Sequence, residues 1–211
     1  MAFDFKKEYK EFYLPAESPS LVDVKPANYV AVRGQGNPND EEGEYKKSIE
    51  LLYGIAYTIK MSKKGDHRIE GYFDFVVPPL EGLWWTGAGE MNYARKEDLR
   101  FISMLRLPDF VTEEDFRWAV ETATKKKGID FSKAEFFHYE EGLCVQCMHI
   151  GSYDMEPITL GKIRETAGKE GYEADLKSGR LHHEIYLSDP RKTSNDKLRT
   201  VIRIPVKPSA R

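Results

Sequence analysis

The sequence predicts an α+β fold of two similar strand-helix-strand-strand units, and three observations predict it. Two strand-like runs pass through glycine into an acidic helix start, Arg33 to Asp40 and Met148 to Asp154. Each half then reaches an aromatic run closed by proline, Phe75-Val76-Val77-Pro78-Pro79 in the first and Tyr186-Leu187-Ser188-Asp189-Pro190 in the second. A further strand ends each half, near residues 101–106 and 198–206. Such duplication suggests a pseudo-two-fold domain, and ligand sites commonly form in the groove between two such units.

Residues 1–27, with Tyr9, Phe12, Tyr13, Pro15, Pro19 and Pro26, read as an irregular arm whose aromatics anchor it to the body. The body, residues 28–206, reads as a single domain of two repeats (28–106 and 143–206). It opens with a strand at 29–34, followed by a helix from about Glu42 to Met61 in which Tyr45, Ile49, Leu52, Ala56 and Ile59 follow helical spacing. Tyr53 and Tyr57 lie one turn apart on an adjoining face. After a polar hairpin at 62–66, Tyr72 to Val77 reads as an aromatic strand, followed by Leu80 to Trp85 and the strand Phe101 to Arg106. A crossover helix spans 112–128, with Thr112 as N-cap and Gly128 as its stop. Beyond it come the strand Leu143 to Ile150, a helix opened by Asp154 and Pro157 and ending near Gly171, and strands at Leu181 to Leu187 and Leu198 to Val206.

Composition narrows the function. The 211 residues hold 35 acids against 32 bases, a formal charge of -3, and 40% hydrophobic residues. That is enough for a real core. It provides no basic footprint, so no nucleic-acid partner is expected. Without a signal peptide or long apolar run, no membrane partner is expected either, and the expected compartment is the cytoplasm. Cys144 and Cys147 have CxxC spacing but lie within a strand-like run, where residues three apart point to opposite faces. They read as small buried hydrophobes rather than a redox or zinc pair. His149, His182 and His183 make no metal set, because His182 and His183 project oppositely and no acidic or thiol partner stands at ligand spacing with them. No metal and no cofactor is expected.

The segment Leu181-His182-His183-Glu184-Ile185-Tyr186-Leu187 carries a carboxylate in an otherwise strand-like run. Period-2 alternation puts Leu181, His183, Ile185 and Leu187 on one face and His182, Glu184 and Tyr186 on the other. A carboxylate there is costly to bury without a partner or a task. The bland alternative pairs Glu184 with Arg199 or Arg203 on the next strand.

Together with the doubled element order, two stretches resemble the GyrI-like small-molecule-binding domains: Gly142-Leu143-Cys144-Val145-Gln146-Cys147-Met148-His149-Ile150-Gly151-Ser152-Tyr153-Asp154 and His183-Glu184-Ile185-Tyr186-Leu187-Ser188-Asp189-Pro190-Arg191. The resemblance implies two pseudo-symmetric SHS2 units forming an antiparallel sheet, with helices flanking a central ligand groove. It also implies that the carboxylate at Glu184 faces the groove and meets lipophilic, often cationic, ligands. Pro78-Pro79-Leu80-Glu81-Gly82-Leu83-Trp84-Trp85, with Tyr53 to Met61, resembles a stand-alone branch that hydrolyses the strained ring of DNA-alkylating cyclopropanoids, a detoxification activity. The two repeats leave no room for a helix-turn-helix domain, so transcription regulation by this chain alone is not expected.

Such a substrate is flat, apolar and electrophilic, and needs aromatic walls and a base that delivers water. Glu184 is the candidate base, and desolvation in an aromatic pocket is expected to strengthen it. Tyr57, Tyr153 and Tyr186 are candidate donors to the ligand carbonyl, with Tyr57 placed beside Glu184 as catalytic and Tyr53 as its pocket neighbour. Trp84 and Trp85 point to opposite sides, so one is expected to stack on the ligand. Glu81 is a possible second carboxylate, and Met148 joins the ligand-binding set. The rival expectation is a non-catalytic protein that sequesters lipophilic cations, with Glu184 as counter-ion.

Overall fold

One antiparallel sheet joins the two halves in the computed structural model, which describes residues 2–87, 95–177 and 179–210. The N-terminal arm supplies two one-turn helices, α1 (Phe5–Glu8) and α2 (Lys10–Tyr13), and a strand, β1 (Ser20–Val24). Then follow β2 (Ala27–Gln35), α3 (Glu44–Met61), β3 (Leu80–Trp85), β4 (Arg100–Arg106), α4 (Glu113–Lys127), β5 (Ala134–Tyr139) and β6 (Gly142–Ile150). The chain ends with α5 (Glu156–Lys169), β7 (Tyr172–Ala174), β8 (His182–Tyr186) and β9 (Arg199–Pro208). Among the described residues the strand order is β1-β6-β9-β8-β3-β4-β2-β5, with β7 beside β9.

The duplication is visible in that order. Strand, helix, strand, strand appears as β2-α3-β3-β4 and again as β6-α5-β8-β9, and the third elements, β3 and β8, meet at the centre with Gly82 opposite Glu184. Both helices cover the same face. Val30 and Val32 of β2 pack with Leu52, Ile55, Ala56 and Ile59 of α3, while Val145, Cys147, Ile202 and Ile204 pack with Leu160 and Ile163 of α5. Because each helix sits over the outer strands of its own half, β3 and β8 lie between them. The opposite face receives the arm, where the Tyr13 hydroxyl donates to Glu81 at 3.0 Å and Arg203 donates to the Phe12 carbonyl at 2.9 Å.

Local signals account for several ends. The crossover helix α4 opens on a capping box in which the Thr112 hydroxyl accepts from the Asp115 N–H and the Asp115 carboxylate accepts from the Thr112 N–H. Two otherwise orphaned N–H groups are thereby satisfied. The helix stops at Gly128, whose φ of 69° is left-handed.

Three expectations are corrected. Tyr72 to Val77 is not a strand, since its one sheet-like contact is an isolated bridge between Phe75 and Phe3. The following prolines lack the N–H a ladder needs, and the rings instead cluster, with Phe73 at 5.2 Å from Phe3 and 4.9 Å from Phe110. The strand that corresponds to β8 is therefore Leu80–Trp85, and the proline-closed runs at 75–79 and 186–190 are not equivalent elements. The arm, expected to be irregular, contributes β1, which pairs with β6. Ala134–Tyr139, unassigned from sequence, forms β5 against β2.

Candidate active site between the central strands

The alternation expected in β8 holds. Cross-strand pairing places His182, Glu184 and Tyr186 beside Trp84, Gly82 and Leu80 on the helix-bearing face. Glu184 is 5% exposed, and both its oxygens are engaged. His182 Nε2 lies 2.8 Å from Oε1, and the Tyr186 hydroxyl donates to Oε2 at 2.8 Å. That hydroxyl in turn accepts from Trp84 Nε1 at 2.7 Å. The carboxylate is thus held in one orientation by a chain of three side chains from two strands.

Gly82 makes this chain possible. A Cβ there would lie 2.6 Å from Trp84 Nε1 and 3.2 Å from the Tyr186 hydroxyl, so the indole occupies the space a side chain would take.

Aromatic walls rise on both sides. From α3, the Tyr45 ring sits 5.1 Å from Trp84 and 5.2 Å from Phe101. From the turn before α5, Tyr153 stands edge-on to Tyr186 at 6.0 Å. Burial, then the nearby Glu184 and Glu156 carboxylates, push the Tyr153 phenol up to about 12. It therefore stays a protonated donor at neutral pH. Burial raises Tyr45 and Tyr186 further still.

Glu156, the first residue of α5, is 1% exposed. It offers a carboxylate oxygen within 4.8 Å of donor atoms of both His182 and Glu184. The expectation that His182 has no acidic partner at ligand distance is corrected, because folding brings two to it.

The other face of the same two strands carries a separate buried network. His183, fully buried, bridges Glu81 through Nε2 (2.9 Å) and Glu141 through Nδ1 (2.9 Å). Arg203 Nη1 donates to Glu141 at 2.7 Å, and the Tyr13 hydroxyl donates to Glu81 at 3.0 Å. Burial opposes protonation of His183, but Glu141 and Glu81 outweigh it and raise the imidazole to about 9. Burial likewise works against ionisation of Glu141, but His183 and Arg203 hold it down at about 2. An ionised cluster under the arm results. It borders a cavity of about 390 Å³ lined by Tyr9, Tyr13, Tyr29, Glu81, Arg106 and Arg203 among others, and Glu184 is not among its walls.

The residues singled out in the sequence therefore divide. Glu184, Tyr186, Tyr153 and Trp84 come together. Glu81 and Met148 lie on the opposite face, as does Trp85, which packs with Leu83, Ile102 and Met104. Tyr57 is 51% exposed and stacks on Tyr53 at 6.2 Å. The α3 tyrosine that reaches the Trp84 cluster is Tyr45, more than three turns earlier, not Tyr57. Arg203 is committed to Glu141, and the chain offers Glu184 neither it nor Arg199 as an ion-pair partner. His149 bonds Thr159 Oγ1 at 2.8 Å and the Ser152 carbonyl at 3.0 Å, and both cysteines are buried and unpaired. Glu156, Tyr45 and the direct contact of His182 were missed. The acidic residue opening α5 was the available signal for Glu156, since it sits within the second glycine-to-helix junction.

This fold and site define a small-molecule-binding domain. The GyrI-like small molecule binding domain family matches residues 17–207, and the chain belongs to it. No curated protein matches the chain. A hydrolase from Listeria innocua is 46% identical, with a TM-score of 0.89 over 97% of this chain and 100% of that one. An uncharacterized conserved protein from Listeria innocua is 47% identical, with a TM-score of 0.91 over the same shares. The C-terminal domain of EcmrR, at 13% identity, shares the fold alone, with a TM-score of 0.54 over 90% of this chain and 98% of that one. Among the described residues no helix is long and apolar enough to cross a membrane.

Proposed function

We propose that this protein binds flat, lipophilic, electrophilic molecules over the central strands and opens cyclopropanoid rings with water, removing DNA-alkylating compounds. One observation carries the reading. Glu184 is buried with both oxygens oriented, beside a second buried carboxylate and under aromatic walls. The similarity to a hydrolase of 46% identity supports the reaction class.

Glu184 and Glu156 both accept from one water, which places its oxygen lone pair toward the strained ring carbon. As that oxygen bonds to the ring CH₂, Glu184 takes a proton from the water. The breaking C–C bond sends its electron pair through the conjugated ring to the carbonyl oxygen, where the Tyr153 phenol donates a hydrogen bond to the developing anion. The resulting phenolate is protonated from solvent and Glu184 returns its proton, so the net change is addition of one water. Trp84 and Tyr45 supply apolar wall, and Tyr186 with His182 hold the base in place.

The test is incubation of a cyclopropanoid with wild type and Glu184→Gln, followed by product analysis. Wild type should release ring-opened alcohol over many turnovers, and the variant should slow by about 10²- to 10⁴-fold. Stoichiometric binding without ring-opened product would sink the hydrolase reading. It would favour the second one, sequestration of lipophilic cations, for which the supporting observation is that Glu184 is bonded by an imidazole and a phenol rather than by Arg or Lys. Tight binding of an aromatic quaternary ammonium by wild type, lost in Glu184→Gln, would then be expected.

A further inference from the structure

The cavity beneath the arm takes no part in the proposed reaction. Its volume of about 390 Å³ lies within the range of small-molecule sites, roughly 300–1,000 Å³. Rings of Tyr9, Phe12, Tyr13 and Tyr29 form much of its wall, beside the charged side chains of Glu81, Arg106 and Arg203. A wider cleft of about 620 Å³ shares Glu11, Phe12 and Lys25 with it and runs along β1, which gives a small ligand a way in.

The buried charges around this cavity do not balance. Arg203 pairs with Glu141 at 2.7 Å, and the two ring nitrogens of His183 each lie 2.9 Å from a carboxylate oxygen, one of Glu141 and one of Glu81. Only an imidazolium donates to both. These two cations answer the two carboxylates. Arg106 is a third cation, and among the described residues no carboxylate stands within 4.0 Å of its guanidinium. The group lies 4.7 Å from the Tyr9 ring centre and 5.2 Å from that of Phe5, and its Nε is buried without a hydrogen-bond partner among the described residues. Stacking orients the fork but leaves its charge uncompensated. Glu11, Asp109 and Lys25 also line the cavity but are exposed, so water screens them and neither acid replaces a buried partner.

We propose that the cavity under the arm binds one small aromatic carboxylate, with its carboxylate on Arg106 and its ring against Tyr29, the cross-strand neighbour of Arg106. The planar guanidinium matches a carboxylate with parallel N–H donors, and an ammonium ligand would be repelled by the excess positive charge. The site lies on the face opposite Glu184, and the proposal does not depend on the hydrolase reading.

Calorimetric titration of the full chain with benzoate tests it. One equivalent should bind, with benzyl alcohol, which lacks the charge, and acetate, which lacks the ring, each weaker by about 10-fold or more. Arg106→Gln should lose about 10-fold or more in affinity, while His138→Gln, at an exposed residue of β5 outside the cavity, should bind as wild type does. If circular dichroism shows that Arg106→Gln does not fold, NMR of labelled wild type decides. Benzoate should shift the amides of Tyr29 and Arg106 and leave those of Tyr45 and Tyr153 in place. Absence of saturable binding in wild type overturns the proposal, as do equal affinity for either analogue, undiminished affinity in folded Arg106→Gln, or shifts centred on Tyr45 and Tyr153. Either result leaves the cyclopropanoid assay free to succeed or fail independently.

Discussion

Neighbouring residues of β8 serve opposite faces: His182 and Glu184 point toward the helices, and His183 points into an ionised cluster beneath the arm. Strand pleating dictates this division, which made it legible from spacing alone that Glu184 shares a face with His182 and Tyr186 and not with His183. Its partners were not legible, because Glu156 and Tyr45 come from helices far away in the chain. Gly82 shows the same limit, since its lack of a side chain acquires meaning only when Trp84 is seen to lie over it. Gly82→Ala should force the indole away and break the Trp84–Tyr186 bond, costing about 1–3 kcal/mol as an overpacked contact does. Urea denaturation and a shift in tryptophan emission would measure this, and unchanged emission would contradict the geometry.

At the level of elements, helices were the easier part to read. The periodic core stripe of α3 and the Thr112 to Gly128 signals of α4 are local, so sequence spacing suffices. Strands were harder. Tyr72 to Val77 has the composition of a strand, but prolines and competing ring contacts keep it out of the sheet, while β3 carries a buried glutamate and a glycine that disguise a central strand. The arm hid a different feature, because its aromatic content suggested packing but not the hydrogen bond from Tyr13 to Glu81. Tyr13→Phe keeps the ring and removes that donor, leaving a buried carboxylate oxygen short of a partner. A loss of about 1–3 kcal/mol is expected, read from the urea midpoint. Because Glu184 lies on the other face, ligand affinity at the site should be unchanged. A fall in affinity equal to that of Glu184→Gln would show that the two faces are not independent.

The whole molecule is tied together by the cluster under the arm, which joins α2, β3, β6, β8, β9 and the turn at Glu141. Its ionisation sets a pH window. His183 is raised from 6.5 to about 9, so its contribution is complete below pH 6.5 and is lost as pH rises through 9. Glu141 is lowered from 4.5 to about 2, so its contribution is complete above pH 4.5 and is lost as pH falls through 2. Stability from these two groups should therefore peak between pH 4.5 and 6.5 and fall on both sides. Denaturation across pH, with NMR titration of the His183 ring, measures this. A ring midpoint near 6.5 would contradict an imidazolium held between two carboxylates.

By itself the sequence determined the class of fold, the duplicated order, most helix boundaries and the alternation that sets Glu184 beside His182 and Tyr186, because periodicity, capping and pleating act over a few residues. Only the tertiary structure decided which strand is the true counterpart of β8, which tyrosine joins the aromatic wall, and that Glu156 and His182 converge on Glu184 while Glu81 and Met148 do not. Those outcomes depend on sheet order and on which helix covers which face. They are set by the burial of apolar surface across the whole molecule, which no local spacing encodes.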